Sequence, residues 1–239
     1  MKIIGMDSSG LTASVAIVED DKLTAVYSVN YKKTHSQTLV PMLDEISKMT
    51  ELDMQTVDAI AIAKGPGSFT GLRIGSATAK GLGLALSIPI VEVPTTDALA
   101  YNYFGTDRLI CPIMDARREQ VYTGLYEFKN DELSVLQEAT AEPIEATVER
   151  VNSYGRHVIF LGDGVSVFKD KILSLIKVPV TFSDAAKCMQ SAASVATLGM
   201  KLFKEGKSVP ASEHVPDYLR LSQAEREKAE KENGGANEA

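Results

Sequence analysis

Apolar residues come in short blocks at the start of the chain. Lys2–Asp7 reads as a buried strand, ended by the turn Ser8-Ser9-Gly10. Residues 12–18 and 23–29 are two more strands, parted by Asp20-Asp21. Connections this short make successive strands antiparallel neighbours. The period then lengthens: Leu39, Met42, Leu43, Ile46 and Met49 fall on one helical face. Thr34-His35-Ser36-Gln37 fits a capping box before it, and Pro41 demands either a later start or a kink. Residues 57–63 form a fourth strand, and Gly65-Pro66-Gly67 a tight turn. Ser68 or Thr70 caps a helix reaching Leu86, residues 88–93 are a fifth strand, and Thr95 or Thr96 caps a helix to about Phe104.

The order then repeats. Residues 108–115, 120–128 and 133–138 read as strands, and Pro143 opens a helix through Val151. Residues 157–161 are a strand ending in Gly162-Asp163-Gly164; a helix at 165–176, a short strand at 178–182 and a helix at 190–204 follow. No residue-level repeat accompanies this repeat of architecture. A meander followed by strand–helix alternation, twice, predicts an α/β chain of two tandem domains with a cleft between them. The expected boundaries are 1–105 and 106–221, the last helix being free to pack back on the first domain. Residues 222–239 lack core-forming side chains beyond alanine and are expected to be disordered or a frayed helix.

Within the helix after the glycine turn, small residues recur every fourth position: Gly71, Gly75, Ala79 and Gly83. Helical glycine costs about 1 kcal/mol relative to alanine, so this stripe predicts close approach of another backbone. Similar stripes pair membrane helices, but Arg73 and Lys80 interrupt this one, and no run of about 20 apolar residues surrounds it.

Composition narrows the function classes. With 239 residues and 44% hydrophobic content the chain can build a sizeable core. A net charge of -7, to which the tail contributes, disfavours non-specific nucleic-acid or membrane binding. Cys111 and Cys188 are far apart and read as reduced thiols, and the N-terminus is not a signal peptide, so a cytoplasmic location is expected.

Two strand ends carry candidate chemistry, Asp7-Ser8-Ser9 and Gly162-Asp163-Gly164. Ligands of open α/β folds lie beyond such carboxyl ends. They read either as a phosphate or nucleotide cleft or as two ordinary hydrogen-bonded turns. The Gly65–Ser68 loop is not a P-loop, because Lys64 precedes the glycines. His35, His157 and His214 form no local metal pair, and no nucleophile elbow occurs. Asp115 is expected to form a structural ion pair with Arg117 or Arg118.

Five segments, MDSSGLTASVAI, HSQTLVPML, KGPGSFTGLRIGSATAKGLGLAL, MDARREQVYTGLY and VPDYLR, resemble the TsaB (YeaZ) family over Met1 to about Ser222. The resemblance implies two tandem actin/sugar-kinase/Hsp70-like (ASKHA) domains with βββαβα-type repeats. It implies a non-catalytic subunit that activates a TsaD-type catalytic subunit, with a TsaE-type ATPase, in transferring threonylcarbamoyl to N6 of adenosine 37 of tRNA. The chain would be a homodimer alone, meet tRNA only indirectly, avoid membranes and need no cofactor or metal. Partner contacts are expected at His35, Leu39, Met42, Leu43, Ile46, Gly71, Arg73, Ile74, Gly75, Thr78, Ala79 and Leu82. Asp7, Ser8, Ser9, Gly162, Asp163 and Gly164 would form a vestigial nucleotide cleft. TsaD-type relatives carry HxEGH, whose histidines bind metal, where this chain has Thr95 and Leu99. The rival reading is an ATP-dependent small-molecule kinase using Asp7 and Asp163. A metalloprotease is the weakest reading, for want of the histidine pair.

Overall fold

The computed structural model describes residues 1–220; the charged tail expected at 222–239 lies outside the described residues. The first half contains β1 (Lys2–Asp7), β2 (Ala13–Glu19), β3 (Lys22–Val29), α1 (His35–Met49), β4 (Ala59–Gly65), α2 (Phe69–Leu86), β5 (Ile90–Pro94) and α3 (Thr95–Tyr101). The second contains β6 (Leu109–Asp115), β7 (Gln120–Lys129), β8 (Glu132–Pro143), α4 (Ile144–Ser153), β9 (Val158–Leu161), α5 (Gly164–Leu175), β10 (Val180–Phe182) and α6 (Ala192–Lys204). The sheets run β3-β2-β1-β4-β5 and β8-β7-β6-β9-β10, the same order twice. In each, the meander is antiparallel and the later strands join it in parallel. This is the duplicated α/β arrangement of the ASKHA class.

β1 and β4 are buried along almost their whole length because helices cover both faces of their sheet. On one face Ile4, Met6, Val15 and Ile60 pack with Leu39, Leu43 and Ile46 of α1 and Ala79 of α2. On the other, Ile3, Ala61 and Val93 pack with Val195, Ala196 and Met200 of α6. Thus α6 covers the first sheet. Its fit is close: a Cβ at Gly5 would lie 2.4 Å from the Ala192 carbonyl oxygen, and one at Gly199 2.4 Å from the Ala61 Cβ. Reciprocally, Leu99 and Ala100 of α3 pack with Ile110, Met114, Tyr126 and Leu161 of the second sheet. That sheet's far face holds α4 and α5 through Ile144, Val148, Phe168 and Ile172.

Several local expectations need correction. Thr34 makes no side-chain cap; its hydroxyl pairs with Ser36 at 3.1 Å instead, and α1 runs from His35 straight through Pro41. Neither Thr95 nor Thr96 caps α3; Pro94 holds that position and both threonines are buried inside the helix. β8 extends five residues beyond the predicted Glu138, to Pro143, because its long pairing with β7 continues to Gln120. Of the two cap candidates for α2, Ser68 is the one used, accepting from the Gly71 N–H at 3.3 Å.

Candidate functional site

A cleft of about 740 Å³ opens between the halves. The first half contributes the β1–β2 turn, Tyr31, residues 33–35 and the first turn of α2; the second contributes the end of β6, Ala116 and Arg117 of the β6–β7 turn, Tyr122 and Asp163. Residues 217–220 close one side after a strap crosses the first domain. Val209 on that strap exchanges backbone hydrogen bonds with Ile90 at 2.8 and 2.9 Å, and Lys80 donates to the carbonyls of Ser212 and His214. His214 is buried, its Nδ1 donating to Glu92 at 2.8 Å. Sequence reasoning gave His214 no place, because its partner is 122 residues away.

The two strand-end motifs have different fates. Asp7 is 1% exposed and is not among the residues that line the cleft. It accepts from the Ser9 N–H at 2.9 Å and the Ser9 hydroxyl at 2.6 Å, yet burial still pushes its carboxyl up to about 6. Ser8 donates to the Gly71 carbonyl at 2.9 Å, the Ser68 N–H donates to the Ser9 carbonyl at 2.7 Å, and His35 Nε2 donates to the Gly10 carbonyl at 2.9 Å. The first turn of α2 therefore sits on the β1–β2 turn and consumes its polar groups. Asp163, in contrast, lines the cleft, and its Oδ1 is buried without a partner among the described residues. Burial, then the nearby Asp115 charge, raises its carboxyl to about 6. Gly162, at φ +100, lets this turn press on β6: a Cβ there would lie 2.2 Å from the Ile113 carbonyl oxygen. Gly164 also packs on Ile113. So Asp163 and Ser9 line the cleft, while Asp7 and Ser8 are buried beside it in structural hydrogen bonds. Asp115 pairs with Arg117 at 3.0 Å, as the sequence suggested.

The small-residue stripe makes its close approach within the chain. A Cβ at Gly71 would lie 2.1 Å from the Ser8 carbonyl oxygen, one at Gly75 2.3 Å from the Ser8 hydroxyl, and one at Gly83 2.8 Å from the Ala211 Cβ. Ala79 is fully buried. Gly71, Gly75 and Ala79, expected at a partner contact, fit α2 onto its own sheet and turn. Leu39, Met42, Leu43 and Ile46 are likewise spent in the chain's own core. His35, Ile74, Thr78 and Leu82 are half-buried, and Arg73 is exposed. Sequence reasoning overlooked a second line of small residues, Ala77, Gly81 and Ala85, which is exposed beside Leu84, with Val40 exposed on α1. Its spacing of four was legible; the choice between two small stripes was not.

Thr95 and Leu99 are buried in α3, and Leu99 belongs to the core cluster of the second sheet. Next to them the Tyr126 hydroxyl donates to Asp97 at 2.9 Å and pairs with the Thr96 hydroxyl at 2.8 Å, and burial raises the Asp97 carboxyl to about 6. No described helix is long and apolar enough to cross a membrane.

The family described as TsaD: tRNA N6-adenosine threonylcarbamoyltransferase matches residues 26–228. A Bacillus subtilis protein named tRNA threonylcarbamoyladenosine biosynthesis protein TsaB is 36% identical, over 94% of this chain and 96% of its own length. The protein of that name in Escherichia coli is 29% identical, over 92% and 95%. YeaZ from Pseudomonas aeruginosa superimposes with a TM-score of 0.79 at 24% identity, covering 91% of this chain and 99% of that one. The length, motifs and duplicated fold agree with these likenesses, and the chain belongs to the TsaB (YeaZ) family, within the broader family that the TsaD description covers.

Proposed function

We propose that this chain is a non-catalytic activating subunit in threonylcarbamoyladenosine biosynthesis on tRNA, acting in the cytoplasm on a TsaD-type catalytic partner. The observation that carries this reading is α3. Thr95 and Leu99 stand where TsaD-type relatives carry metal-binding histidines, and Leu99 is committed to the core. A leucine has no ligand atom for metal, and a buried threonine is a poor one. The kinase alternative draws no support from the cleft, because Asp7 is buried and is not among the residues that line it.

The partner surface is the outward side of α1 and α2. Arg73, Ala77, Gly81 and Leu84 are exposed on α2, flanked by Ile74, Thr78 and Leu82, with Val40 beside them on α1. Small exposed residues let a second helix approach, and the apolar flank supplies buried area. The same face would pair two copies when the partner is absent, and a TsaE-type ATPase would join the assembly.

Co-purification with a TsaD-type protein tests this. Nothing lies within 4 Å of a Cβ at Gly81, so Gly81→Arg is expected to stay folded and lose the partner. Gly75→Leu is expected to fail in folding itself. A folded Gly81→Arg that still captures the partner moves the interface elsewhere. A wild type that captures none overturns the subunit reading.

A further inference from the structure

The cleft rim departs from the rest of this acidic chain. On the first half, Tyr31 and Lys33 line the cleft and are exposed, Tyr31 at 71%, and Lys32 between them in the chain is exposed too. From the second half Arg117, paired with Asp115 at 3.0 Å, lines the cleft on the β6–β7 turn, and Arg118 is exposed next to it in the chain. Arg117, Arg118 and Glu119 have φ of 65°, 54° and 58°. Three successive non-glycine residues in the left-handed region are costly, and such strain concentrates at binding sites. A third wall is aromatic: Tyr218 lies 4.7 Å from Phe69, ring centre to ring centre, with the Arg73 guanidinium 4.1 Å over Phe69. Below them, Asp163 presents a carboxylate whose buried Oδ1 accepts no hydrogen bond among the described residues.

Cations at the rim, aromatic faces in the walls and an acceptor at the floor complement an unpaired nucleotide. The phosphate meets the cations, the base stacks, and base N–H or ribose hydroxyl groups donate to the floor. We propose that the cleft rim holds an unpaired nucleotide of an RNA loop. This rests on the reading of the chain as part of a tRNA-modifying complex, and it departs from the expectation that RNA is met only indirectly. The same chemistry could come from a free nucleotide, but the turns disfavour a polyphosphate. The Ser9 and Ser68 N–H groups are already committed, to Asp7 and to the Ser9 carbonyl, and Asp115 and Asp163 face the space. An acidic peptide would match the cations but neither the aromatic walls nor the acceptor floor.

The test is fluorescence anisotropy of the full chain with a labelled RNA stem-loop carrying unpaired adenosines. The blunt duplex of the same stem, ATP and a polyglutamate peptide serve as comparators. The stem-loop should bind more tightly than the duplex, and more weakly as salt rises. Tyr31→Ala should weaken it about tenfold, as loss of one stacked base does. Arg117→Asn/Arg118→Asn should do the same while keeping the left-handed turn, which asparagine tolerates. Melting curves must show both variants folded. No binding, equal binding by folded variants, equal binding of duplex, or displacement by ATP or polyglutamate as readily as by RNA overturns the proposal. Co-purification with the TsaD-type protein is run on the same samples. Partner capture that survives while loop binding is absent overturns only the RNA site; loop binding without partner capture overturns only the subunit reading.

Discussion

Gly71 and Gly81 lie on the same helix and should respond oppositely to the same methyl group. At Gly71 the new Cβ would sit 2.1 Å from a backbone oxygen, which cannot swing aside as a side chain could. Gly71→Ala should cost about 2–3 kcal/mol, as overpacking does. At Gly81 the Cβ meets nothing, and alanine is the better helix former. Gly81→Ala should stabilise the chain by about 1 kcal/mol. Urea unfolding of the two variants beside the wild type measures both. Equal effects would mean that α2 does not sit on the β1–β2 turn as described.

α6 illustrates how an element late in the chain completes a core begun at its start. With Val195, Ala196, Leu198 and Met200 it covers Ile3, Ala61, Val91 and Val93, on a face where residues 1–105 themselves supply only Ala98 and Tyr101 of α3. Burying an Ile or Val side chain is worth about 1.5–3 kcal/mol, so exposing Ile3, Val91 and Val93 together removes an amount comparable with the whole stability margin of a domain. A fragment of residues 1–105 is therefore expected to bind the dye ANS and lack a cooperative melt, while the whole chain does neither. A fragment that melts cooperatively would show that α6 is dispensable to the first core. The strap after α6 adds to the same argument, since Val209 pairs with the otherwise open edge of β5 at Ile90.

Across the whole molecule, three buried carboxyls, Asp7, Asp97 and Asp163, are raised to about 6 chiefly by burial. Between an unfolded value near 3.8 and about 6, the folded state holds more protons than the unfolded one. Stability must therefore fall as pH rises through this window. For Asp7 alone the difference corresponds to about 3 kcal/mol. Below the window the opposite trend takes over, because Glu142, though partly buried, is held low by Arg150 and Thr147 and loses those interactions on protonation. Chemical denaturation from pH 4 to 7 should show the decline, and Asp7→Asn should flatten it. An unchanged slope in that variant would mean that Asp7 ionises freely in the fold.

The sequence by itself determined the elements, their order and the duplication, because periods of two and near four are local and each turn is punctuated by glycine, proline or paired polar residues. It also determined the family, through long runs such as residues 64–86. It marked Gly71, Gly75, Ala79 and Gly83 as a line of close approach. What it could not supply was the object approached. Periodicity says that a face is small or apolar, not whether the chain's own sheet or another molecule covers it. Only the tertiary structure placed Ser8 beneath Gly71, sent α6 back over β1 and buried Asp7 while leaving Asp163 in the cleft. Each of these depends on residues tens to nearly two hundred positions apart, whose meeting is fixed by sheet order and helix packing and leaves no local trace.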